Sequence, residues 1–254
     1  MRKELLWTPH LLFERLHRLF YDKYKYKKLQ KTPARNLHLA YFDSMELLES
    51  IEDKENIKTI YDIGACIGTW SLLAKAIFPN SKVYAFEALE KHVKELEQKI
   101  NHVKEEIEVF NQALGKEEKT QIMYVQKNTD ASSFLPISEE GLKEWSFLGE
   151  TERIELHIKT LSSFIQENKL PSPDLIKIDV QGLELDILEG GRPFIQNAKW
   201  ILMEVSFEEL YKGQPIYTDV FNYMEKIGYK FYSLNKDTTV LNKLVQADIL
   251  FKKK

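Results

Sequence analysis

From Lys58 onward, short apolar runs alternate with amphipathic helices, and no other feature of the sequence restricts the fold as much. TIYDIG (59–64) is a short strand that stops at a glycine, and TWSLLAKAIF (69–78) has helical spacing. KVYAFEA (82–88) precedes the helical stretch LEKHVKELEQKINHV (89–103), and IEVFNQAL (107–114) reads as a third strand. Strands alternating with helices of ~10–15 residues specify βαβ units and a parallel sheet. Right-handed crossovers then set helices on both faces, which is a doubly wound α/β fold. The alternation breaks after Gly115. QIMYVQ (121–126) and ERIELHIKTL (152–161) look like strands, and the polar stretch between them includes NTDASSFLP. Connections this long are usually functional, so an inserted β-hairpin with a long loop over one end of the sheet is expected. LIKIDV (175–180), LELDILEGG (183–191), WILMEVS (200–206) and TDVFNYMEKIG (218–228) resume the alternation, with Gly228 placed to end a helix. YKFYSL and QADILFKK, joined by NKDTTVLNK, predict a closing antiparallel hairpin.

Residues 1–56 carry no strand pattern and read as a helical N-terminal extension, a lid to the 57–254 domain. Thr8-Pro9 suits a helix start, with Leu12, Leu16, Leu19 and Phe20 on one face. A second helix is expected over about 35–52. Residues 1–40 hold ten Lys/Arg against three Asp/Glu, a balance of +7 in a chain whose net charge is −3. The basic KYKYKK (23–28) has three readings: a solvated helix end, an attractor for an anionic substrate, or peripheral contact with an anionic membrane surface. The single cysteine, Cys66, excludes an intramolecular disulfide framework and fits a reducing compartment, so a cytoplasmic protein is expected. No run approaches the ~18 apolar residues that span a bilayer. Glu14, Arg15, His17 and Arg18 interrupt the first apolar stretch, which makes it a poor signal peptide.

The motif YDIGACIGTWS (61–71) carries the first site. Gly64 allows a tight turn and close backbone approach, and Gly68 sits where a helix with unpaired N–H groups begins. A dinucleotide fingerprint would want G-x-G-x-x-G, but Cys66 stands at the second glycine position. Asp62, two residues before Gly64, suits a cationic ligand rather than a pyrophosphate. Glu87 ends the second strand 23 residues after Gly64, where a carboxylate can accept from both ribose hydroxyls. A ligand with a ribose and an amino-acid moiety but no phosphate is S-adenosylmethionine. D-x-G-x-x-x-G followed by that Glu resembles motifs I and II of class I methyltransferases. That likeness implies that the third strand ends near the adenine, at Gln112 and Ala113.

In an open parallel sheet, ligands bind beyond the carboxyl ends of the strands at the switch in strand order. The fourth strand should neighbour the first, which brings Asp179 to the rim beside Gly64, with Gly182 turning the chain and Glu184 at the next helix start. The stretch KIDVQGLELDILEGG resembles the signature of the FkbM methyltransferases, with Gln181 where the family more often has an acidic residue. YDIGACIG, YAFEALEKH, NQALG, the ASSF loop, KTLSSFI, WILMEVS and ADILFKK follow the family in order over about residues 58–253. The resemblance implies a Rossmann-like, mostly parallel seven-stranded sheet and methyl transfer from S-adenosylmethionine, generally to oxygen. Acceptors in the family are often sugar or glycan hydroxyls or polyketide-type products.

A hydroxyl needs a base or a metal to become a nucleophile at neutral pH. Asp179 is the leading base, with cofactor binding as its other reading, and Glu204 at the end of the fifth strand reaches the same rim. Together they offer two oxygen donors to a hard cation such as Mg²⁺, although two carboxylates do not define a metal site and no metal ligand is assigned. His92 and His102 read as surface residues of a charged helix, and only His38 suggests a lid role. Cys66 reads as a packing residue of the turn. Two rival readings stay open: a nucleic-acid methyltransferase that uses residues 1–40, and an inactive cofactor-binding protein. The first lacks the Pro-Pro-aromatic motif of base-amino methyltransferases, and intact Asp62, Gly64, Gly68, Glu87 and Asp179 argue against the second.

Overall fold

The computed structural model describes residues 20, 23–25, 27–35, 42–144, 149–235, 239–240 and 243–254. The helix expected from Thr8-Pro9, most of KYKYKK's surroundings and His38 lie largely outside these residues. Among the described residues the second expected helix is α1 (Phe42–Glu49), which ends before Ile51.

Seven strands form one sheet: β1 (Thr59–Ile63), β2 (Lys82–Glu87), β3 (Ile107–Asn111), β7 (Leu175–Ile178), β8 (Trp200–Ser206), β9 (Tyr229–Leu234) and β12 (Gln246–Lys253). Their order is β3-β2-β1-β7-β8-β12-β9, and β12 alone runs against the direction of the other six. The strand order reverses between β1 and β7, as expected for a doubly wound sheet with its site at that switch. The closing hairpin is present, with β10 (Thr239–Val240) and β11 (Lys243–Leu244) paired in its connection, but β12 inserts between β8 and β9, so β9 becomes the edge strand.

Helices α2 (Thr69–Ile77), α3 (Glu90–Ile100), α5 (Leu161–Asn168), α6 (Glu184–Gly190) and α8 (Tyr217–Lys226) cover the sheet, with short α4 (Glu139–Glu144) and α7 (Arg192–Ile195) between them. All five residues of β1 are buried, as a strand covered on both faces requires. One face packs Ile60, Leu175, Trp200, Leu202 and Leu250 against Leu73 and Phe78 of the first crossover. Met45, Leu48 and Ile51, on and just after α1, join this same core, so α1 is packed onto the sheet. The opposite face buries Tyr61, Ile63, Ile176, Ile178, Ile201 and Met203 under α5, α6 and α8.

IEVFNQAL does not form one strand. β3 ends at Asn111, and β4 (Ala113–Gly115) leaves the main sheet to pair with β6 (Glu150–Thr160), which pairs antiparallel with β5 (Lys119–Gln126). The turning point is Gln112, whose backbone N–H still bonds Glu87 O while its side-chain amide donates to Ala113 O and His157 O. The inserted hairpin therefore stands as a second sheet, and the ASSF stretch folds back onto it through a bridge between Tyr124 and Ser133. Among the described residues, no helix is long and apolar enough to cross a membrane.

Candidate active site

Side chains two apart on a strand share a face, so the face that buries Ile60, Leu175 and Leu202 also carries Asp62, Lys177 and Glu204. The β1–β7 register sets Asp62 opposite Lys177. Asp62 is 0% exposed; its Oδ2 accepts from Ser71 Oγ at 2.5 Å, and its Oδ1 lies 3.5 Å from Lys177 Nζ. Asp62 thus pairs with the Lys177 cation, and it stands beneath the cavity without lining it. Lys177, which the sequence reading left without a role, donates to Gly64 O at 3.0 Å and lies 3.2 Å from Asp179 Oδ2. Burial works against its charge, but Asp179, Asp62 and Asp248 outweigh burial and hold its proton far above the ordinary lysine range.

Gly64 has φ +78°, and a Cβ there would meet Asp179 O at 1.8 Å. Glycine is required by the neighbouring strand end itself, before any ligand is considered. Gly68 opens α2 with φ +76° and lies against the Leu96 side chain, behind the cavity wall.

A cavity of about 470 Å³ opens over these strand ends. At one end is Glu87, 7% exposed, whose Oε2 accepts from Cys66 N–H and whose Oε1 accepts from Leu89 N–H, both at 2.8 Å. A carboxylate has about four acceptor positions, so capacity remains on Oε2 for a ribose hydroxyl. The donor set therefore fits the nucleoside half of S-adenosylmethionine, and Gly64, Gln112 and Ala113 line the same end. His92 belongs here too, and not on the surface: it is 4% exposed, with Nδ1 3.5 Å from Glu87 and Nε2 2.8 Å from Thr129 Oγ1. Burial opposes its protonation, but Glu87 and Asp130 prevail and raise its pKa above the histidine norm. Cys66 Sγ lies 3.2 Å from Asp130, and burial, then Asp130, pushes its thiol up, so it is no nucleophile. These contacts tie the 129–131 turn to the cavity lining.

The other end is acidic. Asp179 and Glu204 both line it, and the Gln181 side-chain amide donates to each, at 3.1 Å and 2.7 Å. Gln246 Nε2 donates to the same Glu204 oxygen at 3.0 Å. Tyr211 fixes the amide's orientation, its hydroxyl lying 3.1 Å from Gln181 Oε1 and 2.8 Å from Ala131 O. Gln181 holds φ +57°, a strained conformation for a residue with a side chain. Burial, then Asp179 and Asp248, raises Glu204 well above the carboxylate norm. The Gln181 amide already bridges the carboxylates that the sequence reading offered to Mg²⁺, and magnesium enters no step below.

A parallel-centred, seven-stranded doubly wound sheet with an acidic residue at the end of β2 and a cavity at the β1–β7 switch defines an S-adenosylmethionine-dependent methyltransferase domain of class I. The profile of the methyltransferase FkbM domain matches residues 62–231, and the chain belongs to that family. It is 33% identical over 88 residues to the 2-O-methyltransferase NoeI of Sinorhizobium fredii, a match covering 35% of this chain and 36% of that protein. It is 23% identical over 159 residues to the hexuronic acid methyltransferase AglP of Haloferax volcanii, covering 61% of this chain and 59% of that protein. The matches thus span about a third and three-fifths of those relatives' lengths. A ribosomal protein L11 methylase from Lactobacillus delbrueckii shares the fold at 9% identity, with a TM-score of 0.50 over 84% of this chain and 77% of that one.

Proposed function

We propose that the protein transfers a methyl group from S-adenosylmethionine to a hydroxyl of a sugar or glycan. The observation that carries this reading is one cavity with a ribose-accepting carboxylate, Glu87, at one end and a hydrogen-bonded carboxylate pair, Asp179 and Glu204, at the other. Two relatives bear the names of a 2-O-methyltransferase and a hexuronic acid methyltransferase, which supports a sugar acceptor.

When bound, S-adenosylmethionine supplies a methyl carbon already activated by its sulfonium. The chain's task is then to hold the acceptor oxygen in line and to remove its proton. Asp179 takes that proton as the acceptor oxygen forms its bond to the methyl carbon and the carbon–sulfur bond breaks. Gln181 fixes the carboxylate's direction by donating to Oδ1, and Lys177 steadies Oδ2 from below. Glu204, whose burial favours the protonated acid, has the character of a hydroxyl-orienting group rather than a second base. The 129–131 turn is tied to the donor end by His92 and Cys66.

The test is methyl transfer from labelled cofactor onto surface-glycan fragments and nucleotide sugars. Asp179→Asn should lower kcat by about 10²–10⁴-fold while cofactor affinity changes by only a few-fold. Equal losses of turnover and cofactor affinity would make Asp179 a cofactor ligand and refute its role as base.

A further inference from the structure

The acidic end of the cavity has a wall that the cofactor reading does not use. β8 and β12 pair so that Asp248 stands directly across from Glu204. Two opposed carboxyl groups resist joint ionisation, and with Glu204 favouring its protonated form the charge of this pair rests on Asp248. Asp248 is held in place by Ser44 Oγ at 3.1 Å and Asn235 Nδ2 at 3.0 Å. Among the described residues, both of these hydrogen bonds engage Oδ2, which leaves acceptor capacity on Oδ1. Ser44, Asn235 and Asp248 all line the cavity, as does Trp70. Trp70 is 4% exposed, and its indole N–H has no partner among the described residues, so one buried donor also waits there. Ser44 and Asn235 come from α1 and the end of β9, segments that flank the residues matched by the family profile.

The charge of this end is one-sided. Asp179, Glu204 and Asp248 line it, and the one lysine among the described lining residues, Lys177, is already paired with Asp179 and with Asp62 below. A carboxylate or phosphate on the acceptor would face this wall at close range with no free cation among the described lining residues. A hydroxyl or ammonium group would find acceptors.

Resting on the methyl-transfer reading above, we propose that Ser44, Trp70, Asn235 and Asp248 form the acceptor subsite, and that it takes a neutral or amino sugar ring and rejects a uronate or a phosphorylated ring. Asp248 accepts from a ring hydroxyl or ammonium that does not react, which aligns the neighbouring hydroxyl with Asp179. The subsite acts on acceptor binding and position, and the proton transfer stays with Asp179.

The experiment offers the full chain labelled cofactor and an oligosaccharide mixture containing neutral, amino, uronic-acid and phosphorylated rings. Mass spectrometry then identifies the labelled ring. Label on neutral or amino rings is expected, with kcat/KM at least about 100-fold above that for the uronate counterpart. Asp248→Asn should narrow this ratio by about tenfold or more, and Ser44→Ala should raise acceptor KM more than it lowers kcat. Label on uronate or phosphorylated rings, or a ratio unmoved by Asp248→Asn in a variant that still binds S-adenosylhomocysteine, overturns the subsite. No label on any ring with S-adenosylhomocysteine still bound also overturns it, while the cofactor reading stands. Failure to bind S-adenosylhomocysteine would instead remove the reading on which the subsite rests.

Discussion

Gln181 Nε2 donates to Glu204 Oε2 at 2.7 Å, across the gap between the ends of β7 and β8. The same nitrogen reaches Asp179 at 3.1 Å, so one neutral amide orients two carboxylates. An acidic residue at this position, which the family more often has, would face both without a hydrogen to donate.

Gln181→Glu should therefore lower kcat by about tenfold or more near neutral pH, while S-adenosylhomocysteine affinity changes less. Placing a third carboxylate beside Asp179 and Glu204 should also move the pH–rate profile to higher pH, because like charges favour protonated forms. Steady-state rates across pH beside calorimetric affinities check this. An unshifted profile would show that Gln181 does not set the geometry of the pair.

Lys177 is 8% exposed and ion-paired to Asp62, which is wholly buried. Removing one partner of a buried pair costs about 3–5 kcal/mol, because the other charge is stranded. Lys177→Met should destabilise the fold by that order in denaturant unfolding, and Asp62→Asn in the same chain should recover part of the loss. A double variant as unstable as the single one would contradict the pairing.

Glu184 is 6% exposed at the start of α6, where its Oε1 accepts from Gly182 N–H. Burial, then Asp179, pushes its pKa up to about 7, against the pull of the backbone N–H groups. Between the ordinary carboxylate range and pH 7, the folded chain holds a proton that the unfolded chain releases, so stability falls as pH rises through this window. The stability difference between Glu184→Gln and the native chain should move in glutamine's favour by about 3 kcal/mol from pH 4 to pH 8. Parallel stability curves would refute this.

Much of the fold was legible because a parallel sheet buried on both faces leaves a plain record. Apolar runs such as LIKI and WILM mark central strands, and each glycine or polar cluster after them marks a carboxyl end. The neighbouring of β1 and β7, and with it the approach of Asp179 to Gly64, follows from that pattern. Partners across strands were harder to read. Lys177 looks like a polar interruption until the register sets it beside Asp62, and Asp62 looks like a ligand's partner for the same reason. His92 sits in a highly charged helix, yet the turn of α3 that carries Val93 and Leu96 inward brings it against Glu87. The break at Gln112 escaped notice because the apolar pattern runs on unchanged while the strand changes sheets. Ser44 and Asn235 carry no signal at all: each matters only through its hydrogen bond to Asp248.

Every role assigned at the site depends on the cavity holding a methyl donor through Glu87. Calorimetric titration of the full chain with S-adenosylhomocysteine measures this, with Glu87→Ala as the paired variant and its folding checked by thermal unfolding. The expected result is one equivalent bound per chain, with the dissociation constant at least about tenfold weaker in a folded Glu87→Ala chain, as loss of a charged hydrogen-bond acceptor entails. Absence of saturable binding to the native chain, or an unchanged constant in the folded variant, would contradict it.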